Sequence, residues 1–593
     1  MKQFKKMFKA FCYSFQLIYS SSKLLILVYG LLKLATAALP LLSVWVLKCL
    51  LDHLVAEDPN LSAAIYYIVL YIACLLLLSI INAAASVCYN SIFQRAEHQY
   101  DRNISEKAVK LPLSVLDTSE GRNLIDEVQF AKETVVYLVE RAISIISLLY
   151  TVLIAFCTLF AFHAGFSLLF VILAVPGMFL GEYFERKSDI LRRKMAPDVR
   201  KSSYYRWMLT DVWPAKDVRM YDLTTPIKAR YNEEKRTYLK ANKRLDVKKT
   251  FSLIIAELIQ RAGEIVFTLF VVYKALIGEI SVGDVALYIG FAISFCDSFQ
   301  NMSWLVRQVF TRTAERIESL FSFLGIHCSD ETNGTRQIDR FETLRFENVY
   351  FKYPTAEEYV LKGVSFTLKQ GEKLSIIGIN GAGKSTIVKL MLGLYEIDSG
   401  RILVNDHPIS DYNVKDIRQM FSVLFQTFAQ YPLTLRENVA FSGLERIEKD
   451  EEIEEALKKS GVYNELVPKL NNGLDSLMTR QFDDEGTELS KGQWQKVALS
   501  RTYFKNAPIV IFDEPSAALD AEAEEHIFRN FEEISSDKTG IMISHRISSA
   551  RMASKIIVLD GGRIAEEGTH DELIGIGGLY AKLYELQRKK YTV

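Results

Sequence analysis

The sequence has 593 residues, enough for more than one domain. Its 71 basic and 71 acidic residues cancel at pH 7, so the overall charge gives no indication of nucleic-acid binding. The seven cysteines are scattered without a C-x-x-C pair, which argues against a disulfide framework and a cysteine-ligated metal. Hydrophobic residues make up 49% of the chain, a high share for a soluble protein of this length.

The N-terminal segment MKQFKKMFKAFCYSF combines lysines with regularly spaced phenylalanines at positions 4, 8, 11 and 15. The phenylalanines share one helical face. The segment lacks the uninterrupted apolar core and the cleavage site of a signal peptide. We expect an interfacial helix on the inner leaflet, with a disordered basic tail as the alternative.

Six apolar stretches follow, and each supplies the roughly 20 residues that a helix needs to cross a bilayer. Their approximate ranges are 23–51, 61–92, 136–162, 164–183, 251–276 and 284–306. The sequence therefore predicts an all-α transmembrane domain of six helices.

The segments between these spans differ in charge. The short ones, 52–60, 161–165 and 275–284, contain no Lys or Arg, whereas the long ones, roughly 94–135 and 187–250, are rich in both. By the positive-inside rule, both termini and the long segments face the cytoplasm. We expect a multi-pass protein of the cytoplasmic membrane.

The character of the sequence changes after about residue 310. The polar stretch 327–340 reads as a linker, and short β-rich runs alternate with helical runs from 341 onward. This alternation predicts an α/β domain with a largely parallel sheet. We expect a transmembrane domain over 1–325, a linker over 326–340 and the α/β domain over 341–593.

A phosphate-binding loop lies in the second domain, in KLSIIGINGAGKST (373–386). Gly378, Gly383, Lys384 and Ser385 satisfy G-x-x-x-x-G-K-[ST]. In this motif the glycines turn backbone N–H groups towards phosphates, the lysine reaches the β- and γ-phosphates, and the serine helps hold Mg²⁺. A strand before the loop and a helix after it make a chance glycine turn a poor explanation.

The run PIVIFDEP (508–515) is an apolar strand that ends in two acids. Asp513 can coordinate Mg²⁺ through water, and Glu514 is placed to orient and polarise an attacking water. A second apolar strand ends at His545, where the side chain can contact the γ-phosphate. A lone histidine is usually structural, but the end of a parallel strand favours the functional interpretation.

Two further residues are ambiguous on their own. Tyr353 in FKYP fits either stacking on adenine or packing within a strand. Gln426 in FSVLFQ has no role that the residue type alone indicates.

The order FKY, GINGAGKST, LFQ, LSKGQ, IFDEPSAALD and ISHR resembles the nucleotide-binding domain of ATP-binding cassette (ABC) transporters. Six spans ahead of that domain on one chain resemble the exporter-type half-transporters of the same superfamily. The resemblance covers nearly the whole chain. It implies a helical membrane domain followed by a P-loop ATPase domain, with ATP hydrolysis coupled to transport.

The resemblance also implies roles for individual residues. Tyr353 stacks on adenine, Gln426 links Mg²⁺ to the membrane domain, and Asp520 contacts a second chain. The expected nucleotide-binding residues of the loop are Gly378, Asn380, Gly381, Ala382, Gly383, Lys384, Ser385 and Thr386. The expected catalytic residues are Glu514, His545 and Gln426, and the expected Mg²⁺ ligands are Ser385, Gln426 and Asp513.

The run ELSKGQ (488–493) resembles the family's signature loop, which contacts the γ-phosphate of ATP bound by the opposite nucleotide-binding domain. Ser490 offers a hydroxyl, Gly492 allows close backbone approach, and the following helix presents its positive end. Gln493 completes the expected contacts. The resemblance implies that two chains form two shared sites, so the protein acts as a dimer.

The signature loop departs from the family pattern at Lys491, where glycine is usual. The lysine restricts the backbone, while its charge favours an anion. Because Glu514 and His545 are present, we interpret Lys491 as a tolerated variant. Both halves of the site occur on this chain, which favours a homodimer and leaves a heterodimer as the alternative.

Two segments, 111–124 and 214–223, resemble the coupling helices through which membrane helices contact the nucleotide-binding domains. The alternative is that both are solvated tips of helical hairpins. If they are coupling helices, ATP-driven closure of the dimer draws them together and reorients the membrane domain.

Charged residues inside the predicted spans bear on the cargo. They are Lys33, Glu257, Arg261, Glu264 and Asp297. Spacings of three and four place the three charges of the fifth span on one helix face, so mutual pairing is one interpretation. The other is a polar cavity with excess acid that favours cationic or amphipathic cargo.

The runs LSKGQWQKVALSR and TLRENVAF most resemble exporters of lantibiotics and related bacterial peptides. A peptide exporter is therefore our first prediction, and a multidrug or lipid exporter is the second. No peptidase sequence precedes the spans, so we expect no leader cleavage by this chain.

Three other function classes fit less well. An ATP-gated channel would tolerate loss of Glu514, and an importer normally keeps its spans and its ATPase on separate chains. A soluble DNA-repair ATPase has no membrane half, and we expect no nucleic-acid partner.

Overall fold

The computed structural model describes residues 2–56, 60–326, 334–515, 521–545 and 547–591. The chain divides into two compact units. Unit 1 comprises Met1–Ala108 and Asn123–Ile326, and unit 2 comprises Val109–Arg122 and His327–Val593. The short segment 109–122 thus belongs with the C-terminal part of the chain, although it lies between two membrane helices in the sequence.

Helices make up the N-terminal part of the described chain. Their bounds are α1 Lys2–Val55, α2 Leu61–Val109, α3 Leu113–Leu116, α4 Ser119–Phe162, α5 Ala164–Thr210, α6 Ala215–Met220, α7 Thr224–Leu276 and α8 Val282–Gly325. Six of them are 44–54 residues long.

Five of the long helices are apolar enough to cross a membrane by length and composition. These are the segments Met7–Val55, Leu61–Val109, Ser119–Phe162, Ala164–Thr210 and Val282–Val309. Helix α7 holds the predicted fifth span, but its apolar stretch also carries Glu257, Arg261 and Glu264. Because of those charges, this stretch is less apolar than an ordinary membrane span.

The long segments between the spans, which the sequence predicts as two long cytoplasmic loops, are largely helical. Residues 94–109 continue α2, and the segment 187–250 is mostly the end of α5 and the start of α7. Charged side chains of high helix propensity explain the extension. They also form pairs one turn apart, such as Arg102 with Glu106.

Helix α1 is interrupted where the first span was expected to begin. Ser22 has φ −156° and ψ 52°, so a local break separates the N-terminal segment from the rest of the helix. Phe8 and Phe15 of that segment are exposed. The interfacial position of the segment remains a prediction.

Unit 2 holds two sheets. The strands are β1 Thr343–Phe351, β2 Leu361–Lys369, β3 Lys373–Gly378, β4 Ser399–Val404, β5 His407–Pro408, β6 Phe421–Leu424, β7 Ile509–Asp513, β8 Thr539–Ser544, β9 Lys555–Asp560 and β10 Arg563–Gly568. One sheet has the order β10-β9-β3-β8-β7-β6, and the other has the order β2-β1-β4-β5. In the six-stranded sheet, five adjacent strands run parallel to one another, namely β9, β3, β8, β7 and β6, and β10 pairs antiparallel with β9. All strand pairs of the four-stranded sheet are antiparallel.

Beyond residue 327, unit 2 also contains nine α-helices among its described residues, and some of them pack together in an apolar cluster. Their bounds are α9 Lys384–Met391, α10 Val414–Gln419, α11 Leu435–Ala440, α12 Asp450–Lys459, α13 Tyr463–Leu466, α14 Lys491–Lys505, α15 Ala521–Ile534, α16 His570–Ile576 and α17 Leu579–Tyr591. The cluster includes Leu435, Ile453, Trp494 and Val497, so helices α11, α12 and α14 share one core.

The parallel sheet positions the candidate site. Every residue of β7 and β8 is buried, as are the last five of β3. Adjacent parallel strands bring their carboxyl ends to the same edge, and loops at that edge carry ligand sites in folds of this class. The ends of β3, β7 and β8 are Gly378, Asp513 and Ser544.

Candidate functional site

The glycine loop joins buried strand β3 to helix α9. Gly381 and Gly383 have φ values of 84° and 101°, which L residues rarely adopt. A Cβ on Gly383 would lie 2.6 Å from Leu361 Cδ2, whereas a Cβ on Gly381 would meet no atom within 4 Å. Backbone conformation and space together therefore require glycine at 383.

The ammonium of Lys384 lies in the loop. Its Nζ donates to the carbonyl oxygens of Gly378 and Ile379 at 3.0 and 3.2 Å. It also pairs with Glu514 Oε1 at 3.1 Å. The Lys384 side chain is only 4% exposed. Its buried ammonium is therefore stabilised by contacts with three oxygen atoms.

Ser385 faces the end of strand β7. Its Oγ donates to Asp513 Oδ1 at 3.0 Å. Burial raises the pKa of Asp513 above its ordinary value; the Ser385 hydrogen bond opposes this rise, and the charge of Glu514 adds to it. The loop serine and the strand-end carboxylate thus form one contact, as the motif spacing predicts.

Glu514 follows directly after β7 in a strained conformation. Its φ of 45° is left-handed, which is rare for a residue with a long side chain. The backbone N–H donates to Ile543 O at 2.9 Å, and the side-chain Oε2 accepts from Gln426 Nε2 at 2.8 Å. A left-handed residue costs about 1–3 kcal/mol and is typical of functional sites.

Tyr353 lies beside helix α9. Its hydroxyl forms a 3.0 Å hydrogen bond with Thr386 Oγ1, and the ammonium of Lys389 lies 5.1 Å from its ring centre. Its ring meets that of Tyr395 edge-on, with centroids 5.4 Å apart. The structure therefore brings the tyrosine of FKYP to the glycine-loop helix.

His545 follows strand β8. Its carbonyl accepts from Gln587 Nε2 at 2.6 Å. Within the described parts of the chain, its Nδ1 is buried without a hydrogen-bond partner. No hydrogen bond or ion pair among those residues joins the His545 side chain to Lys384 or Glu514. Its predicted phosphate contact therefore stays a prediction.

The ELSKGQ loop caps helix α14. Ser490 N donates to Gln493 Oε1 at 2.9 Å, and Gln493 N donates to Ser490 Oγ at 3.3 Å, which completes a capping box. Gly492 is exposed, and a Cβ there would meet nothing within 4 Å. Among the described residues, no hydrogen bond or ion pair connects this loop with the glycine loop of the same chain.

A contact that no motif indicated joins the segment 109–122 to the ATPase core. Leu113 of α3 packs against the main hydrophobic cluster of unit 2, and the hydroxyl of Tyr395 donates to Asp117 Oδ2. Burial and the adjacent carboxylate raise the pKa of Tyr395, so its hydroxyl stays protonated. The contact expected for 111–124 is present, and Tyr395 is the residue that sequence reasoning missed.

The oxygen atoms of Ser385 and Asp513 fit a hard divalent cation such as Mg²⁺. Within the described ranges, no group of three or more His, Cys, Asp or Glu side chains lies together in a metal-binding arrangement. The pair of Ser385 and Asp513 fits a cation whose other ligands are phosphate and water.

Comparison with known families assigns both parts of the chain. Residues 26–299 match the ABC transporter transmembrane region, and residues 361–517 match the ABC transporter family. The chain belongs to the ABC transporters. Its membrane and ATPase regions are fused on one chain, in the half-transporter arrangement.

Three curated relatives illustrate the range of this family. The subtilin transport ATP-binding protein SpaT of Bacillus subtilis is 29% identical, over 99% of this chain and 94% of its own. The nisin transport ATP-binding protein NisT of Lactococcus lactis subsp. lactis is 27% identical, over 96% and 94%. An ATP-dependent lipid A-core flippase of Methylobacillus flagellatus is 33% identical, over 57% and 56%.

The fold matches a solved exporter. A bacterial Atm1-family ABC exporter with ATP bound aligns with a TM-score of 0.80 at 22% identity. The alignment covers 95% of this chain and 98% of the exporter chain. The predicted fold class, a helical membrane domain followed by an ABC ATPase domain, is confirmed. ATP-driven transport is the activity that follows from this family membership.

Proposed function

We propose that this chain forms a dimeric exporter that moves a peptide out of the cytoplasm at the expense of ATP. The observation that carries the peptide assignment is the end-to-end similarity to two transport proteins, of subtilin and of nisin. Each similarity spans at least 96% of this chain, so it includes the membrane region, where cargo is bound.

In this proposal the glycine loop holds the triphosphate. Lys384 exchanges its contact with Glu514 for the β- and γ-phosphates, while the loop N–H groups from Gly378 to Thr386 surround them. Asn380, Gly381 and Ala382 contribute through the backbone. Tyr353 turns from Thr386 to stack on adenine.

Mg²⁺ neutralises charge on the phosphates when it is bound. Ser385 and Asp513 would hold it, directly and through water, and the amide oxygen of Gln426 would complete the protein's share. The 3.0 Å contact between Ser385 and Asp513 supports this pairing because both oxygen atoms already lie on one side of the loop.

Glu514 accepts a proton from the attacking water in this proposal. Gln426 orients its carboxylate through the 2.8 Å hydrogen bond, and His545 contacts the γ-phosphate from the neighbouring strand end. The left-handed backbone of Glu514 supports the assignment, because such strain persists only where the surroundings hold it in place.

The signature loop completes the site of a second chain. Ser490, Gly492 and Gln493 present a hydroxyl, an open backbone and the N-terminus of a 15-residue helix, which together suit a phosphate. The lack of a hydrogen bond or ion pair to the glycine loop within the described part of one chain supports contact in trans. Asp520, the other expected dimer contact, lies outside the described residues.

The domain boundaries in this proposal are 1–325 for the transmembrane domain, 326–340 for the linker and 341–593 for the nucleotide-binding domain. The nucleotide-binding domain and both termini lie in the cytoplasm, as the basic long segments indicate. A homodimer is favoured because one chain contains the motifs of both half-sites. Lipid is the second candidate cargo, supported by the similarity to flippases.

The test is ATPase activity of the purified chain in nanodiscs, titrated separately with peptides, with phospholipids and with cationic dyes. We expect peptides to stimulate turnover at lower concentration than the other two classes. Stimulation by lipid alone would overturn the peptide assignment in favour of a flippase. The Glu514→Gln variant is the matched control, because stimulation that persists in it does not come from this ATPase.

A further inference from the structure

Polar side chains of two neighbouring membrane helices meet in unit 1, far along the chain from the motifs of the ATP site. They are Gln260, Arg261 and Glu264 of α7 and Asp297 and Gln300 of α8, here called the α7–α8 cluster. Arg261 pairs with Glu264 at 2.8 Å and with Asp297 at 3.3 Å, and Gln300 Nε2 donates to Gln260 Oε1 at 2.9 Å. Of the pairing predicted among the charges of the fifth span, the contact of Arg261 with Glu264 is present.

Pairing does not balance the charge of the cluster. The guanidinium of Arg261 faces two carboxylates, those of Glu264 and Asp297. Glu257 lies one turn earlier on the same face of α7 and is exposed. Three carboxylates and one guanidinium leave this set with an excess of two negative charges.

The exposed side of the cluster is expected to avoid lipid. The side chains of Arg261 and Asp297 are 41% and 49% exposed, although they lie within predicted spans. Charged groups in hydrocarbon are costly, so charged faces of membrane helices line a water-filled cavity or meet another chain. In the first case cargo can reach the face that carries these two residues, and this is the case that the binding test below examines.

The buried side of the cluster retains unused hydrogen-bonding capacity. Gln260 and Glu264 are only 3% and 9% exposed. Within the part of the chain that the structure describes, neither Gln260 Nε2 nor Glu264 Oε1 forms a hydrogen bond of ordinary geometry, and the polar group beside both side chains is the weakly donating thiol of Cys296. A buried polar atom left unpaired is destabilising, so a purely structural tie between the helices would leave a penalty at both atoms.

We propose that the α7–α8 cluster binds a cationic residue of the exported peptide. This inference rests on the proposed peptide export and adds the charge of the cargo to it. An ammonium donates three hydrogen bonds and matches the carboxylates, while Gln260 Nε2 is a donor for a peptide carbonyl. One lysine residue supplies both groups, whereas a neutral lipid tail supplies neither.

Arg261 is an internal competitor for the same carboxylates. It pairs with Glu264 and Asp297 until the cargo cation takes over one of these contacts. Removing its charge should therefore strengthen the binding of a cation. If Arg261 served only to tie α7 to α8, the same change would loosen the helices and weaken binding, so the sign of the effect separates the two roles.

The test measures binding without ATP turnover. Three fluorescent peptides share one length and one set of apolar residues and differ in having Lys, Gln or Glu at the same positions. Each is titrated by fluorescence anisotropy against the full chain in phosphatidylcholine nanodiscs, with protein-free nanodiscs subtracted. This uncharged lipid keeps membrane electrostatics from imitating a preference of the protein.

We expect the Lys peptide to bind best and Asp297→Asn to weaken it by roughly tenfold, the scale of one hydrogen bond to a charged group. Glu264→Gln should weaken it similarly, and Arg261→Gln should tighten it. The Gln peptide should respond little to any of these changes. Asp284→Asn is the matched control, because Asp284 pairs with Lys48 elsewhere in the membrane region.

Equal binding of all three peptides by the wild type, or a Lys preference that Asp297→Asn leaves intact, would overturn the cationic site while peptide export stands. Weaker binding of the Lys peptide by Arg261→Gln would assign the cluster to helix packing and also overturn it. If none of the peptides binds and only lipid stimulates ATP hydrolysis, peptide export itself fails. The exposed Asp297 keeps the test decisive even if the buried Glu264 variant does not fold.

Discussion

The nucleotide site of unit 2 and the α7–α8 cluster of unit 1 are both built from charged side chains, but they differ in how those charges are satisfied. At the nucleotide site, the Lys384 side chain is 4% exposed and its ammonium contacts three oxygen atoms. The carboxylate of Glu514 forms an ion pair with this lysine and accepts a hydrogen bond from Gln426. In the α7–α8 cluster, the single guanidinium of Arg261 faces two carboxylates, so the charges are not balanced within the cluster.

The difference follows the chemistry that each region serves. Phosphate is the same in every ATP, so one fixed set of contacts suits it, and that set appears as motifs in the sequence. Cargo differs between transporters, so no motif specifies the residues that bind it. We expect single changes at the nucleotide site to have large effects and changes at the α7–α8 cluster to have modest, cargo-dependent effects.

The largest effect is expected for Glu514→Gln. The change keeps the shape of the side chain and removes the carboxylate that takes the proton, so hydrolysis should fall by roughly 10²–10⁴-fold. ATP binding should persist, because Lys384 and Ser385 are unchanged. Steady-state phosphate release and equilibrium ATP binding measure the two separately. Wild-type turnover would contradict the assignment of the base.

Lys384→Ala should lower hydrolysis by roughly 10²–10³-fold and should also weaken ATP binding. It removes the cation that meets the phosphates and leaves the carboxylate of Glu514 without its ion pair. Lys389→Ala is the matched control, because it removes a lysine from the same helix, where the ammonium contacts the Tyr353 ring instead. Equal losses in the two variants would show that the effect of Lys384 is not specific to phosphate.

Gln426→Ala should lower the maximal rate by about tenfold, because it removes one hydrogen bond to the carboxylate of Glu514. Gln426→Glu should lower it further, since it places a second negative charge beside Glu514. Turnover at saturating ATP and Mg²⁺ measures both. An identical rate for the two variants would exclude the orienting role of this residue.

The smallest effect concerns the contact between segment 109–122 and the ATPase core. Tyr395→Phe keeps the ring but removes the hydrogen bond to Asp117, which should speed amide exchange at residues 113–117 by about fivefold. Tyr412→Phe is the control, because its hydroxyl bonds Val404 O at 3.0 Å away from this segment. Unchanged exchange in the Tyr395 variant would show that Leu113 packing alone holds the segment.

Local patterns predict the strands, loops and helices that carry the candidate nucleotide site. The glycine spacing, the apolar run before Asp513 and the serine at the start of α14 each act through neighbours in the chain, and the structure places strand, loop and helix accordingly. The capping box of Ser490 and Gln493 has the same local origin.

Contacts between distant parts of the chain were not predictable in this way. The pairing of Lys384 with Glu514 and of Tyr395 with Asp117 depends on how strands and segments come together in three dimensions. Likewise, apolar composition marks where a helix can cross a membrane but not where it ends. That is why α5 runs on to Thr210, beyond the predicted span.

In the proposed dimer, the signature loop of one chain completes the ATP site of the other, and paired variants test this arrangement directly. Gly492→Asp suits the purpose: a Cβ there meets nothing within 4 Å, an acid is favourable in the first turn of a helix, and its charge would repel a γ-phosphate. Gly492→Asn is the uncharged control.

The measurement uses two differently tagged chains, both carrying Glu514→Gln so that bound ATP is retained. Lys384→Ala and Gly492→Asp are placed either on the same chain or on opposite chains of the dimer, and ATP that survives gel filtration is counted. If each site is shared between chains, one ATP per dimer is retained when the changes lie on opposite chains and none when they share a chain. The reverse result would show that each loop serves its own chain and would rule out the shared site.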